Sequence, residues 1–244
     1  MTAQEAPEKP LSELSRIVNV FVSPKEAFTD ILPRPRWYIP VIILTVLSLV
    51  VVYCISQRIG WEHIVRQSIE QSSRASSIPA EQKEQQIAMG AKVASVIGYV
   101  QGTIGPLLGV VIISGVLMFI ANAMLGTQLR YAQMMGITAY SMLTGLISIP
   151  LMIVVMYMKS PEDFDLRNPL AFNVGAFLNA ETTPKWLTSL GSSFDLFSFW
   201  TMLLLAIGIS CAGRKLTVGK AFGAVLIPWA VWVVCKTGWA ALFS

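Results

Sequence analysis

Long runs of uncharged, mostly apolar residues alternate along this chain with shorter polar segments. The first such run, residues 37–57, lies between Arg36 and Arg58. A helix rises about 1.5 Å per residue, so a helix of this length is about 30 Å long, which is the thickness of the hydrocarbon layer of a bilayer. The apolar positions are continuous and do not alternate with polar ones, as they do in the strands of membrane barrels. The pattern therefore predicts helices that cross a membrane.

The same reasoning along the rest of the chain predicts five membrane-spanning helices. In lipid, every backbone N–H and C=O group has to be paired within the protein, and a helix achieves this within one segment. The predicted fold class is all-α, a polytopic membrane protein with a five-helix transmembrane bundle and short amphipathic helices at its N-terminus. The approximate spans are residues 38–57, 98–127, 133–158, 195–213 and 219–241, with aqueous loops at 58–97 and 159–194.

The N-terminal part of the chain has a different pattern. We expect residues 1–36 to form an amphipathic segment on the cytoplasmic side, and residues 37–244 to form the five-span membrane domain. Such a segment can lie in the plane of the lipid headgroups or pack under the bundle, and the pattern favours the two equally. Glu13 and Arg16 lie away from the apolar face of its short helix, which is formed by Leu11, Leu14, Ile17, Val18 and Phe21.

The composition excludes several classes of protein. Of the 244 residues, 54% are hydrophobic and 13% are charged, which is about half the charged fraction of a soluble globular protein. Such a chain is too apolar for a water-compatible surface and too apolar to be disordered. The formal net charge of +4 is spread over a mostly membrane-buried chain and forms no dense basic patch, so we expect no nucleic-acid binding.

The distribution of cations predicts the orientation in the membrane. With the N-terminus in the cytoplasm, nine Lys and Arg residues fall on each side. Their density differs, because Arg214, Lys215 and Lys220 lie close together, whereas five cations on the opposite side are spread over residues 58–92. Cytoplasmic loops are enriched in Lys and Arg near the spans, so we expect a cytoplasmic N-terminus.

Few residues in the chain are candidates for catalysis or metal binding. Cys54, Cys211 and Cys235 stand alone in apolar runs, where a cysteine behaves as a small hydrophobic residue. His63 is the only histidine, and it lies in an aqueous loop without the neighbours typical of catalysis or metal binding. We therefore predict no catalytic residue, no cofactor, no metal site and no enzymatic activity.

Two ionisable residues lie at the ends of predicted spans. Asp195 opens the fourth span, and Lys236 lies about one turn from the end of the fifth. In a five-helix topology these two ends are on the same side of the membrane, so the two side chains are a candidate ion pair. The alternative is that Lys236 extends by itself to the lipid headgroups.

Four glycines share one face of the predicted second span. Gly98, Gly102, Gly105 and Gly109 recur at intervals of four, three and four residues. A glycine has no Cβ atom, so a neighbouring backbone can come close, which is a common way for membrane helices to associate. We predict that this face packs against another helix of the same chain or against a second copy in a homodimer.

Several segments are similar, in order along the chain, to the sequences of one family of membrane proteins. They are residues 21–28 (FVSPKEAF), 35–40 (PRWYIP), 126–133, 139–141, 194–200 (FDLFSFW) and 220–222 with Pro228. Together they resemble the bacterial branch of the Yip1 family, whose members have five membrane spans. The resemblance implies a membrane-embedded helical domain in the bacterial cytoplasmic membrane. Eukaryotic relatives act in vesicle trafficking and bind small GTPases, but no matching GTPase-binding motif is found here, and bacterial relatives have no assigned activity.

Two functions fit this pattern. The first is a non-enzymatic membrane scaffold that binds membrane lipids or a protein partner, or that forms a homo-oligomer. The second is a small transporter or channel with a pathway through helices kinked at their prolines. Ion-coupled carriers usually keep an acid or base within the membrane, which these spans lack, but a pathway lined by Gln101, Asn122 and Gln128 is an alternative. A hydrated cavity at the midplane would favour transport, and a closely packed core would favour the scaffold.

Overall fold

The described part of the chain is helical. The computed structural model describes residues 10–70, 79–164, 168–179, 182–213 and 215–242. In these residues the extended pairing is limited to one β-bridge between Asn173 and Asp195, and no strand is formed. The structure thus confirms the predicted all-α fold class.

The helices follow one another with short connections over much of the chain. Residues 131–158 form one continuous helical segment, because α6, a 3-10 turn at Met142–Thr144 and α7 are directly consecutive. Further 3-10 turns occur at Pro161–Asp163 and Val174–Phe177. The α-helices of the described residues are α1 (Glu13–Val22), α2 (Pro24–Ile31), α3 (Tyr38–Arg58), α4 (Trp61–Glu70), α5 (Ala80–Leu125), α6 (Tyr131–Ser141), α7 (Gly145–Met158), α8 (Lys185–Gly191), α9 (Leu196–Ser210) and α10 (Val218–Leu242).

Four helical segments in the described residues are long and apolar enough to cross a membrane. In the most apolar 18-residue window of each segment, between 22% and 28% is buried by protein. Most of each window therefore faces outward, as lipid-facing helices require. The predicted fourth span, 195–213, contains the apolar helix α9, which has 15 residues and is therefore about 22 Å long. The five-helix count is thus approximate. The four long segments are Tyr38–Arg58, Ala80–Leu125, Tyr131–Met158 and Val218–Leu242.

Helix α5 is much longer than the span that the sequence predicted at residues 98–127. Its 46 residues correspond to about 69 Å, more than twice the hydrocarbon thickness, so part of it extends beyond the membrane. The helix ends at Leu125 and is followed by Gly126, whose φ is +64°. This left-handed conformation reverses the chain after a helix, and glycine adopts it without steric cost.

The chain forms two compact units. Unit one contains Met1–Pro40, Val110–Thr144 and Phe172–Ser244, and unit two contains Val41–Gly109 and Gly145–Ala171. The N-terminal helices α1 and α2 therefore pack in the same unit as α6, α9 and α10.

The core of unit one is built around α6. Residues 134–141 of this helix are all buried, against α1, α2 and α9. Two glycines permit this close packing. A Cβ atom at Gly136 would lie 2.9 Å from Pro35, and one at Gly208 of α9 would lie 3.1 Å from the ring of Phe28 and still closer to Ile137. The small residues therefore set the spacing between these helices.

Unit two contains α3, α4, α7 and the first part of α5. Its apolar core includes Ile59, Met156 and Phe164. On its polar surface, the guanidinium of Arg66 in α4 donates two hydrogen bonds, of 2.8 Å and 3.0 Å, to the carboxylate of Glu84 in α5. This bidentate pair fixes α4 beside α5.

Candidate functional site

The charged side of α1 faces the protein, and its apolar side faces outward. Arg16 is 1% exposed, whereas Leu14, Val18 and Val22 are 72%, 49% and 75% exposed. These three residues recur every four positions and form a stripe along the helix, which we call the outer stripe. The helix thus packs on the protein through the side that carries Arg16 and the fully buried Val20, and the outer stripe stays open.

Arg16 is held by a set of acceptors that matches its guanidinium group. Its Nε atom donates to Asp30 Oδ2 at 2.6 Å, and one Nη1 bond goes to Glu13 Oε1 at 3.0 Å. Two longer bonds of 3.4 Å reach the carbonyl oxygens of Arg34 and Asp30. A buried charge is tolerated only when it is paired and hydrogen-bonded in this way.

The charge of Arg16 is stable in this environment. Burial opposes the charged form, but the hydrogen bond and the negative charge of Asp30, together with the charge of Glu13, outweigh this effect. The pKa of Arg16 is therefore raised above its ordinary value, and the residue stays protonated at any physiological pH.

Glu13 extends this arrangement to two other parts of unit one. Its Oε2 atom accepts a hydrogen bond of 2.7 Å from the hydroxyl of Tyr140 in α6. Its Oε1 atom also accepts a 2.9 Å bond from Arg36, which precedes α3. We call the set Glu13, Arg16, Asp30, Arg36 and Tyr140 the Arg16 cluster, and it joins α1 to α2 and α6.

Local sequence features place α1 and α2 for these contacts. The Oγ atom of Ser12 accepts a 3.1 Å bond from the N–H of Ser15 and caps α1. Pro24 begins α2, and its missing N–H is not needed at that position. The N–H of Leu11 donates to Asp30 Oδ1 at 3.2 Å, which closes the pair of helices into a hairpin.

Two clefts of unit one adjoin the turn that follows α9. The first, of about 810 Å³, lies between the start of α2 and the turn after α9, and Lys25, Cys211 and Thr217 are among its lining residues. The second, of about 750 Å³, lies between the α5–α6 turn and the α9–α10 turn, with Lys215 and Lys220 at its wall. Both clefts are open and partly polar, so they suit a charged or polar group. Their shared lining residues are Ala212, Gly213 and Leu216.

The cations of these clefts are exposed. Lys25, Lys215 and Lys220 are all exposed, and none of them takes part in an ion pair of the described residues. Glu26 lines the first cleft as its acidic residue. Arg214, the third cation of the predicted basic turn, lies outside the described residues.

Asn122, one of the residues of the predicted transport pathway, is used by the turn after α5. Its Oδ1 atom accepts bonds from the Thr127 hydroxyl at 2.7 Å and from the N–H of Leu129 at 3.0 Å. Its Nδ2 group donates to the carbonyl of Leu129 at 3.1 Å. Gln101 and Gln128 are exposed. The amide of Asn122 thus stabilises a turn.

Asp195 and Lys236, the candidate ion pair, each have other partners. The ammonium group of Lys236 donates to the hydroxyls of Ser192 at 2.9 Å and Ser193 at 3.3 Å. The carboxylate of Asp195 caps α9 by accepting from the N–H and the hydroxyl of Ser198. The ion pairs of the described residues do not include one between Asp195 and Lys236. Lys236 still links the end of α10 to the residues that precede α9.

The four glycines of the predicted packing face differ in their surroundings. A Cβ atom at Gly98 would collide with the ring of Trp61 in α4, and one at Gly102 would lie 3.0 Å from Val52 in α3. The nearest atom for Gly105 belongs to Gln101 of its own helix, at 3.5 Å. Gly109 is half-buried. The first two positions therefore lie against neighbouring helices of the same chain.

The partners of Arg16 were not predicted from the sequence. One signal was available, because Glu13 and Arg16 are three residues apart and share one side of a short helix, where opposite charges can pair. Asp30, Arg36 and Tyr140 gave no such signal, since they meet Arg16 and Glu13 only after the helices have packed. The glycines at 136 and 208, which permit this packing, were missed for the same reason.

The part of the chain that the structure describes contains no group of three or more His, Cys, Asp or Glu residues placed to hold a metal ion.

A family model described as the Yip1 domain matches residues 18–240. No curated protein and no solved structure matches the chain. The matched region includes most of the N-terminal helices and all of the long apolar helices except the last two residues of α10.

Proposed function

This chain belongs to the Yip1 family, and on that basis we propose that it is a non-enzymatic membrane scaffold that binds an anionic partner at the clefts of unit one. The Yip1 domain and the long apolar helices make it an integral, multi-pass membrane protein. The partner is an acidic segment of another protein or an anionic lipid headgroup, and either would be held by the same lysines.

The charged side chains of unit one fall into two groups, those that hold helices together and those that are exposed at the clefts, and this difference supports the proposal. The carboxylates of Glu13 and Asp30 accept hydrogen bonds from Arg16, Arg36 and Tyr140, so these groups serve to position helices. By contrast, the lysines that line the two clefts are exposed. Exposed cations beside an open, partly polar cleft attract anionic groups through charge complementarity. The binding surface is therefore the cleft wall, and the Arg16 cluster is its support.

We further propose that the clefts face the cytoplasm of a bacterial cell. The basic α9–α10 turn supports this orientation through the enrichment of Lys and Arg in cytoplasmic loops. Replacement of Lys220 by cysteine, in a chain whose own cysteines are changed to alanine, allows a direct test. The introduced thiol should react with a membrane-impermeant maleimide only after the cells are opened, and reaction in intact cells would contradict the orientation.

Crosslinking and affinity purification from native membranes test the binding function. Both proteins and lipids that copurify are identified by mass spectrometry. The variant Lys25→Glu/Lys215→Glu/Lys220→Glu reverses the charge of the cleft walls, and we expect it to lose most of the copurified acidic protein or anionic lipid. Lys92→Glu is the matched control, since Lys92 is an exposed cation of α5 that lines neither cleft.

The identity of the copurified species separates the two sources of negative charge. Stoichiometric recovery of an acidic protein, or of a second copy of this chain, indicates a protein scaffold. Enrichment of an anionic lipid over its share of the membrane indicates headgroup binding. Equal recovery of every species by the triple variant and by the wild type would contradict the proposal.

A further inference from the structure

The geometry points to a lipid-immersed position for α1, in which the outer stripe of Leu14, Val18 and Val22 contacts the acyl chains of one leaflet. The segment that the sequence predicted to be cytoplasmic would then be part of the membrane-embedded body. The inference is independent of the clefts, and rests on the polarity of α1, on its position along α6 and on its contacts with α9.

The polarity of α1 is the reverse of that of a helix on a water-soluble protein. Its buried residues are Arg16 and Val20, and its open side carries large apolar residues, of which Leu14 and Val22 are about three-quarters exposed. In water, an amphipathic helix turns its apolar stripe to the core. A helix that buries a charged group against protein and turns a stripe of large apolar residues outward follows the rule for segments surrounded by lipid.

Contacts with α6 show how far α1 reaches along the third span. Near the start of α6, the side chain of Gln133 donates to the carbonyl of Leu32, which ends α2. One turn farther, Gly136 lies against Ile31. A further turn along, Tyr140 contacts Glu13 at the start of α1. Helix α1 therefore contacts the span four residues farther from its beginning than α2 does at Gly136, or about 6 Å along the helix axis.

Contacts with α9 agree with this placement. Beyond the end of α9, the thiol of Cys211 lies 3.7 Å from the carbonyl oxygen of Lys25. Toward the other end, the ring of Phe21 at the end of α1 meets the ring of Trp200 edge-on, with centroids 5.7 Å apart. The contacts of the hairpin with this segment thus extend from Trp200 to Cys211, eleven residue steps or about 16 Å.

The cations beside the hairpin are suited to the headgroup layer. Arg34 and Arg36 are exposed and lie just before α3 enters its apolar run, and Lys25 is exposed at the start of α2. Long basic side chains extend from an apolar surface to reach lipid phosphates. The occupant of the outer stripe is therefore the hydrocarbon just below these headgroups.

Spin labelling of the complete protein in lipid vesicles tests this position. Cys54, Cys211 and Cys235 are changed to alanine, and a nitroxide is attached in turn to Leu14→Cys, Val18→Cys and Val22→Cys. Thr29→Cys is the matched control, because Thr29 is exposed on the polar side of α2. Vesicles of phosphatidylcholine with phosphatidylglycerol supply the bilayer, and relaxation by oxygen is compared with relaxation by a water-soluble nickel chelate.

For each label, the relaxation by oxygen is divided by the relaxation by the nickel chelate. We expect this ratio to be several-fold higher for the three stripe labels than for Thr29→Cys, because oxygen concentrates in hydrocarbon. Relaxation by the nickel chelate equal to that of Thr29→Cys would overturn the inference, since the stripe would then face water. Dipolar broadening between labels at Val18→Cys would also overturn it, by showing that a second copy of the chain covers the stripe. Circular dichroism and size-exclusion chromatography of each labelled variant verify the fold.

Discussion

The hydroxyl of Tyr140 donates a 2.7 Å hydrogen bond to the carboxylate of Glu13, a residue 127 positions earlier in the chain. Tyr140 lies in the buried helix α6, and Glu13 begins α1, so this bond joins a membrane-spanning segment to the N-terminal hairpin. Because Glu13 also accepts from Arg16 and Arg36, the position of α1 depends on the third span. A displacement of α6 will therefore be transmitted to the hairpin.

Removal of the Tyr140 hydroxyl should destabilise unit one. Tyr140→Phe removes the donor to one oxygen of Glu13, and a hydrogen bond to a charged group contributes about 1.5–3 kcal/mol. Thermal unfolding in detergent measures the change. Tyr131→Phe is the matched control, because its hydroxyl bonds to an uncharged acceptor, the carbonyl of Val111, and such a bond contributes less than one to a carboxylate. Equal shifts for the two variants would contradict the special role of Tyr140.

Replacement of Arg16 should have the largest effect of any single change in the Arg16 cluster. Arg16→Met leaves Glu13 and Asp30 without their shared cation, and breaking a buried pair from one side costs about 3–5 kcal/mol. Arg16→Lys should recover only part of this, since an ammonium group cannot match the spread of acceptors that a guanidinium reaches. Chemical unfolding measures both, and the further variant Glu13→Gln/Arg16→Met/Asp30→Asn should be more stable than Arg16→Met. Lower stability of the triple variant would contradict the charge argument.

The contact between α6, α2 and α9 should not tolerate a methyl group at Gly208. Gly208→Ala places a Cβ atom against Ile137 and Phe28, and overpacking of this kind costs about 1–3 kcal/mol. Gly223→Ala in α10 is the control, because a Cβ atom there has nothing within 4 Å. The control should be neutral or gain up to about 1 kcal/mol from the higher helix propensity of alanine. Similar thermal unfolding temperatures for the two variants would show that the space around Gly208 can expand.

A related comparison tests the predicted glycine face of α5. Gly98→Ala brings a Cβ atom into the ring of Trp61, whereas Gly105→Ala meets only Gln101 of its own helix. We expect Gly98→Ala to be destabilising and to change the tryptophan fluorescence of unit two, and Gly105→Ala to leave both unchanged. If Gly105→Ala instead weakened self-association in a crosslinking assay, that glycine would lie at an interface between copies.

A double-mutant cycle tests the pairing of Lys236. The structure predicts that Lys236→Met couples with Ser192→Ala, by about 0.5–1.5 kcal/mol, because the two groups share a hydrogen bond. The coupling of Lys236→Met with Asp195→Asn should be below about 0.5 kcal/mol. The unfolding free energies of the single and double variants give both coupling energies. A coupling above about 1 kcal/mol with Asp195 would instead support the ion pair that the sequence predicted.

The membrane-spanning helices could be predicted from sequence because lipid imposes one simple rule. Uncharged runs of sufficient length have to be helical in hydrocarbon, so the spans at 38–57 and 219–241 match α3 and α10 within a few residues. The fourth span was less well predicted, since Cys211, Ala212 and Gly213 are uncharged but belong to the turn after α9. An absence of charge shows where a span is permitted and does not show where a helix ends.

The arrangement of α1 could be predicted only in part. The separation of its apolar and charged sides is visible in the sequence, but the same pattern fits a helix with either side buried. The deciding contacts come from Asp30 and Tyr140, which are distant in the chain and carry no local periodicity. Which side of α1 is buried is therefore determined by packing between segments that are distant in the chain, and the pattern of α1 alone does not predict it.

The shortness of α9 has a consequence for the surrounding bilayer. Its 15 residues give an apolar length several ångströms below the usual hydrocarbon thickness, and each ångström of such mismatch costs a fraction of a kcal/mol. If α9 is a fifth span, the bilayer beside it has to thin, and this cost falls in a thinner membrane. In that case the protein should concentrate where short-chain lipids make the bilayer thin.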